Sequence, residues 1–341
     1  MAHNITERDS VISVRDAGWH GLATVLDDYV TPEQAREMAF PWEPVTTPLY
    51  RGVPFINEAG EPDVSFEEVP GIVGVERSDT GEFFGSVGKD YVHATNKELT
   101  EIAESIEGID SGAVRVETAG SLKGGRKVWM LLRMAEPIVV KGDPNGATIP
   151  YFALQNSHDG YGSLRGQALM TRIICDNTAQ AADMEARANN YEFTFRHTTG
   201  LRDRIEDAKA ALAMWRDSVV NWQALMDELI ATPVTEAQKQ DFIDGFIPWP
   251  VSTMTVGPRV LTNIENARNA FNDIMTGVTT ADVSNTAYGL VQAAIEFNQH
   301  VRGVRAASDL ARAESRFKRA YLDRDRQISV AIDLAREVAL A

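Results

Sequence analysis

The sequence contains a single cysteine, Cys175, so no disulfide can form within the chain and nothing calls for an oxidising compartment. It also lacks an apolar run long enough to span a bilayer. Its polar start, residues 1–10, has no apolar core of the kind found in signal peptides. We therefore expect a cytoplasmic protein with no membrane partner.

Two kinds of motif are also missing. No glycine-rich loop of the P-loop or dinucleotide-binding type occurs, which argues against nucleotide-driven motors and the common dehydrogenases. No histidine and cysteine spacing of the zinc type occurs either. The sequence therefore predicts no cofactor and no metal site.

Positive charge is scarce, with 33 Lys and Arg against 49 Asp and Glu and a net charge of −16. The deficit is concentrated in residues 1–111, which hold 7 basic and 22 acidic residues, whereas residues 112–200 hold 10 and 8. Scattered carboxylates in the first third indicate a solvated, self-repelling surface more than a mimic of DNA. The middle third is locally basic, so the net charge does not exclude a polyanionic partner there.

A chain of 341 residues exceeds the usual single-core domain. The order of the predicted elements favours an α+β fold, with an antiparallel β-sheet core, flanking helices and a mainly helical C-terminal region. We expect an acidic N-terminal α/β segment over residues 1–95 and an α+β core over residues 96–197. Residues 198–341 would form a helical domain or assembly arm.

Local signals place the elements of the first third. A helix is predicted from Pro32 to about Phe40, with Thr31 as its cap. The proline-rich stretch that follows, FPWEPVTTPLYRGVPF, indicates a connector. A hairpin is predicted to turn at residues 79–81, and a second helix to begin with Asn96 as its cap.

The middle third reads as four strands. Two of them lie within residues 113–134 and are joined by a glycine-rich turn, and two more lie in residues 149–157 and 164–176. The next helix is predicted near Asn177, where Gln180 stands three residues further on.

Residues 198–341 show helical periodicity. From Leu201 to Leu229, apolar residues alternate spacings of four and three, which predicts a packed helical seam. Further helices are predicted after Thr235, from about Val260, and around Leu290.

The stretch from Gly125 to Met134, GRKVWMLLRM, places basic residues and a tryptophan in an otherwise apolar strand. Successive side chains of a strand point to opposite faces. One face would be apolar and would carry Val128, Met130, Leu132 and Met134. The opposite face would be basic with an aromatic residue, and would carry Lys127, Trp129, Leu131 and Arg133.

A groove for single-stranded nucleic acid needs cations along the phosphates and aromatic surfaces for the bases. The candidate nucleic-acid-binding residues are Arg115, Lys123, Arg126, Lys127, Trp129, Arg133, Tyr151 and Tyr161. The alternative is an ordinary solvated strand face, with Trp129 covered by other parts of the chain, because such alternation is common in half-exposed sheets.

The tetrapeptide Ser157-His158-Asp159-Gly160 has the strongest resemblance to a catalytic motif. His158 has the chemistry of a base or a metal ligand, and Asp159 that of an orienting group. His197 and Cys175 would complete such a site only if the fold brought them close. We favour a hairpin turn, because Asp-Gly is a strong turn signal, and we assign no catalytic residue.

Five motifs carry a family resemblance: GWHGLA (18–23), ALQNSHDGYGSL (153–164), TRIICDNTAQAA (171–182), FRHTTGLRDRIEDA (195–208) and NTAYGLVQAAIEF (285–297). With them, the chain resembles the phage- and plasmid-encoded family labelled domain of unknown function nine-three-two. This resemblance implies no established activity and no catalytic residues.

The layout of residues 96–190 is also similar to that of Rad-type, Erf-like and RecT-like single-strand annealing proteins. Those proteins form rings or filaments that hold single-stranded DNA in a basic groove, but likeness of layout does not fix function.

Our leading hypothesis from the sequence is a non-enzymatic, homo-oligomeric protein that binds or anneals single-stranded DNA in phage or plasmid recombination or replication. One alternative is a protein-binding host-takeover or structural assembly factor with a host or phage protein partner. The other is a metal- or histidine-dependent enzyme centred on His158.

Overall fold

The computed structural model describes residues 9–14, 23–106, 108–172, 177–180, 192–212, 215–251, 256–303, 315 and 326–340. In these residues two β-sheets combine with helices, and the part from Leu201 onward is mainly helical. The fold class is therefore α+β, as predicted. The candidate Cys175 lies outside the described residues. No helix in the described part has both the length and the apolar character needed to cross a membrane.

The described residues form twelve strands in two sheets. In chain order they are β1 (Val11–Ser13), β2 (Thr24–Val25), β3 (Pro44–Ile56), β4 (Pro62–Arg77), β5 (Phe83–Gly88), β6 (Val114–Leu122), β7 (Lys127–Met134), β8 (Ile138–Val139), β9 (Ala147–Ser157), β10 (Leu164–Arg172), β11 (Asn177–Gln180) and β12 (Glu192–Phe195). Strands β3 to β5 form the small sheet, and the other nine form the large sheet.

The large sheet has the order β11-β10-β9-β7-β6-β1-β2, with β12 paired to β10 and β8 paired to β9. Its central strands are antiparallel, and the β6–β7 hairpin turns through Lys123–Gly125. The strands predicted for the middle third are present. The helix predicted near Asn177 is wrong, because Asn177–Gln180 pairs with β10 as a strand. Pairing with a neighbouring strand outweighed the local helix-start signal.

Eight α-helices lie in the described residues. They are α1 (Pro32–Ala39), α2 (Asn96–Glu104), α3 (Leu201–Leu212), α4 (Arg216–Ala231), α5 (Glu236–Phe246), α6 (Pro258–Met275), α7 (Ala287–Glu296) and α8 (Arg326–Leu340). Thr31, Thr95 and Thr235 form reciprocal capping boxes at the starts of α1, α2 and α5. The predicted caps Thr31 and Thr235 are confirmed. The predicted cap Asn96 is wrong, since it is the first helical residue and Thr95 precedes it as the cap.

The helical seam predicted between Leu201 and Leu229 is confirmed. Its buried members are Leu201, Ile205, Ala208, Leu212, Trp215, Val219, Trp222, Met226 and Leu229. These side chains belong to α3, α4 and the connection between them, and they join the same core as the large sheet.

One face of the large sheet packs on helices. Helix α1 contacts β6, and helix α2 contacts β7 and β9. Val128, Met130 and Leu132 are buried in this core, and Met134 packs against it, so the predicted apolar face of β7 is confirmed. The core extends from Ile12 to Val338 and so draws on all three predicted segments, whose boundaries stay a prediction.

Strand β3 of the small sheet occupies the region predicted as a proline-rich connector, and that prediction is wrong. The hairpin predicted to turn at residues 79–81 is confirmed, since β4 and β5 pair across this turn. Strands β3 and β4 form a long antiparallel hairpin, and β5 pairs with β4 only from Ile72 to Glu76. The prolines are tolerated because they stand at strand starts, at a register shift or on an edge. Pro44 and Pro62 begin their strands, and the pairing of β3 shifts after Pro48.

Candidate functional site

Trp129 lies in β7 on the predicted DNA-binding face. Its side chain is only 1% exposed, so the prediction of an exposed indole is wrong, and the alternative in which other parts of the chain cover Trp129 is confirmed. The ring packs over Gly120 of β6, where an added Cβ atom would lie 2.4 Å from it. Leu131, on the same face, is buried as well. Strand alternation indicated which side chains share this face but not that the face belongs to the protein interior.

Tyr151 and Arg133, register partners on β9 and β7, approach the same buried carboxylate. The Tyr151 hydroxyl donates to Oε1 of Glu117 at 3.0 Å, and Nε of Arg133 lies 3.3 Å from Oε2 of Glu117. A bulge in β6 at Glu117 accompanies this arrangement. Arg133 also donates to the hydroxyl of Tyr29 at 2.7 Å. The predicted exposure of Tyr151 is therefore wrong, and Arg133 is engaged within the protein.

Arg115 is exposed, and it shares a cleft with carboxylates. Its guanidinium stands over the ring of Tyr29, 5.1 Å from the centroid, and its Nε donates to the carbonyl of Gly112 at 2.8 Å. The same residue lines a cleft of about 700 Å³ together with Glu104 and Asp110. Burial and neighbouring carboxylates raise the pKa of Glu104. A cleft of this charge does not suit a phosphate chain.

The other four predicted residues meet in two adjacent turns at one end of the large sheet. Lys123, Arg126 and Lys127 belong to the β6–β7 turn or border it, and Tyr161 belongs to the β9–β10 turn. The backbone N–H of His158 donates to the carbonyl of Arg126 at 2.8 Å and joins the two turns. The side chain of Tyr161 is 94% exposed.

Within this end of the sheet, Arg126 differs from the two lysines. Its guanidinium donates to the carbonyls of Phe84 and Phe83, at 3.0 and 2.8 Å, and so fastens β5 to the turn. Lys123 and Lys127 are half-buried, and neither forms an ion pair with any residue that the structure describes. We call Lys123, Lys127 and Tyr161 the sheet-end site.

The tetrapeptide at His158 forms a turn, as favoured from the sequence. The carboxylate of Asp159 accepts hydrogen bonds from the Ser157 hydroxyl at 2.7 Å and from the Tyr161 backbone N–H at 3.0 Å. His158 is fully buried, and its Nε2 is 2.9 Å from the side-chain oxygen of Asn96, the first residue of α2. Asp159 thus holds the turn, and His158 connects it to a helix start.

The fold brings His197 into electrostatic reach of His158, and adds His93, which sequence reasoning missed. These three residues form the histidine cluster. Tyr91 stacks on His197 with ring centroids 4.9 Å apart, and meets His93 edge-on at the same distance. The residues come from three separate connections, so nothing local in the sequence signals their meeting.

The histidine cluster is uncharged at neutral pH. Burial, reinforced by the other two histidines, lowers the pKa of His158 to about 3. Burial lowers the pKa of His197 to about 4, and it also lowers the pKa of His93. A general acid or base works best with a pKa near the working pH, so these values do not suit catalysis at neutral pH. Among the described residues, no three His, Cys, Asp or Glu side chains are placed to hold a metal ion.

No curated protein and no solved structure matches the chain. One family matches residues 83–321, a range that includes the sheet-end site and the histidine cluster but excludes the β3–β4 hairpin. The chain belongs to this family, which is described as a Domain of unknown function (DUF932).

Proposed function

We propose that the protein binds single-stranded DNA through the sheet-end site, as a factor in phage or plasmid recombination or replication. The supporting observation is the meeting of Lys123, Lys127 and Tyr161 in adjacent turns, with the Tyr161 ring almost fully exposed. An exposed aromatic ring can stack on any base, whatever the DNA sequence, and nearby ammonium groups attract phosphates.

This site is smaller than the groove predicted from the sequence, and it lies on turns instead of a sheet face. The sheet-end site of one copy contains one exposed ring, so we expect weak binding per copy. Binding would be tighter where several copies engage the same strand, since each further contact becomes intramolecular. Annealing of complementary strands is the activity we expect of such an assembly.

Tyr161→Ala tests the stacking surface without removing a buried contact, because the side chain is 94% exposed. We expect binding of a labelled single-stranded oligonucleotide to weaken about 5- to 150-fold, since stacking contributes about 1–3 kcal/mol per base. The measurement is a fluorescence anisotropy titration at low salt, repeated as the salt concentration rises. Wild-type binding must weaken with salt, because the phosphate contacts release counterions.

The lysines are tested in the same titration. Lys123→Gln and Lys127→Gln should each lower the slope of log affinity against log salt by about 0.7 for each phosphate that the variant no longer neutralises. Lys141→Gln is the matched control, because Lys141 is exposed near the opposite end of β9. Absence of wild-type binding at low salt, or unchanged binding by Tyr161→Ala, would contradict the proposal.

A further inference from the structure

The outer part of the β3–β4 hairpin, residues 50–68, is named the ribbon. Its strands pair in register from Tyr50 opposite Glu68 to Ile56 opposite Pro62, and none of its residues is buried. Strand β5 joins β4 only from Ile72, so both ribbon edges lack a strand partner among the described residues. An isolated two-stranded hairpin is at best marginally stable in water. We therefore expect the ribbon to be stabilised by contact with another surface.

The pairing register sorts the ribbon into two unlike faces. Side chains directly opposite each other in an antiparallel pair share a face. One face, named the apolar face, carries Tyr50, Gly52, Pro54, Ile56, Pro62, Val64, Phe66 and Glu68. The other face carries Arg51, Val53, Phe55, Asp63, Ser65 and Glu67. On this second face Arg51 and Glu67 form an ion pair of 2.9 Å.

The apolar face is large enough to form an interface. Phe66 is 73% exposed, Ile56 65%, Tyr50 57% and Val64 49%. Together these four side chains expose about 500 Å². Two such faces in contact would cover about 1,000 Å², which is the area that a specific interface needs to reach.

Charge decides what kind of partner fits. The ribbon contains one basic residue, Arg51, and five acidic residues, and the apolar face contains no cation. A nucleic acid or an anionic membrane surface would be repelled. A second apolar face would not be repelled in this way. Its one charged residue is Glu68, which stands at the end of the ribbon.

We infer that the occupant of the apolar face is a second copy of this chain, and that the two ribbons pack face to face and antiparallel about a two-fold axis. The antiparallel arrangement keeps the two Glu68 carboxylates apart by the length of the paired strands, about 20 Å. It brings Phe66 and Val64 of both copies to the centre. The other face, with its ion pair, stays in water. This interface is independent of the sheet-end site.

The first test is the mass of the full chain in solution without DNA, measured by analytical ultracentrifugation over a range of concentrations. We expect a reversible dimer. Phe66→Ser should weaken dimerisation at least about 30-fold, as loss of a central aromatic anchor does. Phe55→Ser is the matched control, because Phe55 is 44% exposed on the other face and its replacement should leave the dimer unchanged.

The second test identifies which face of the ribbon is covered. In a Cys175→Ser background, Val64→Cys on the apolar face should be joined to its copy by a short thiol-specific cross-linker, because face-to-face packing places both copies of residue 64 near the centre of the interface. Its neighbour Ser65→Cys points to the other face and should not cross-link.

Three results would overturn the inference. The first is a wild-type monomer at concentrations on the order of 100 μM, which exceeds the micromolar dissociation constants of weak interfaces of this size. The second is a dimer that Phe66→Ser leaves intact, since the interface would then lie elsewhere. The third is cross-linking of Ser65→Cys as efficient as that of Val64→Cys.

Discussion

Trp129 and Phe66 are both aromatic residues on antiparallel strands, yet the first is 1% exposed and the second 73%. Around Trp129 the large sheet is packed on both sides: helices α1 and α2 contact one face, and a buried apolar cluster lies on the other. Around Phe66 no side chain is buried on either face of the ribbon. Strand alternation indicates which residues share a face, but distant parts of the chain determine whether that face is core or binding surface.

Truncation of Trp129 and of Phe66 should have very different effects on stability. We expect Trp129→Ala to lower the free energy of unfolding by about 3–5 kcal/mol, because it leaves a cavity in a close-packed interior. Phe66→Ser should change it by less than about 0.5 kcal/mol, as is usual for exposed positions. Urea unfolding measures both, at dilute protein so that association adds nothing to stability. A large loss for Phe66→Ser in the monomer would show that the ribbon packs against the rest of the chain.

Acid should affect the large-sheet region through the histidine cluster. Unfolded histidines take up protons near pH 6.5, whereas folded His158 and His197 do so only at about pH 3 and 4. Between these limits the unfolded state binds more protons, so stability falls as the pH falls. Within this pH range, each of these two histidines lowers the free energy of unfolding by about 1.4 kcal/mol for each unit that the pH falls.

Denaturant unfolding at a series of pH values between 7 and 4 measures this slope. His158→Gln keeps a side chain that can bond to Asn96, and we expect it to make the slope shallower by about 1.4 kcal/mol per pH unit. Carboxyl groups also titrate in this range, so the comparison of variant with wild type is what isolates His158. An unchanged slope would mean that His158 already takes up its proton near pH 6.5 in the folded state.

Local sequence signals correctly predicted the helices and turns that depend on contacts between residues close in sequence. The 3.5-residue repeat identified the buried side of α3 and α4, and turn residues located the β6–β7 and β9–β10 connections. The sheet-end site follows from these two turns, because antiparallel pairing of β7 with β9 brings them together. Proline is tolerated in β3 and β4 because of where these strands lie in the sheet, and the sequence does not show that position. The prolines therefore suggested a connector.

The sequence could not decide features that depend on distant segments, and it left a covered Trp129 only as an alternative. The burial of Trp129 and Tyr151 depends on packing around the whole sheet. The alternation of side chains along β7 and β9 does not indicate this packing. The histidine cluster joins three connections spread over about a hundred residues of chain. Its members carry no shared motif, so only the fold shows that His93 and His197 lie near His158.

Two glycines provide the finest test of the difference between the sheets. At Gly120, in the large sheet, a Cβ atom would lie 2.4 Å from the Trp129 ring and 3.0 Å from the carbonyl of Ser10. Neither neighbour can move freely, so Gly120→Ala should destabilise the fold by about 1–3 kcal/mol, as overpacking does. At Gly52, in the ribbon, the nearest atom is a methyl group of exposed Val64 at 3.0 Å.

Val64 can turn away, and alanine restricts the unfolded chain more than glycine does, so Gly52→Ala should change the free energy of unfolding by less than about 0.5 kcal/mol. Thermal unfolding of the wild type and of the two glycine variants measures these differences in stability. Equal losses at the two glycines would mean that the ribbon is packed as tightly as the large sheet. Its apolar face would then be part of the folded interior, and no second copy would be needed to cover it.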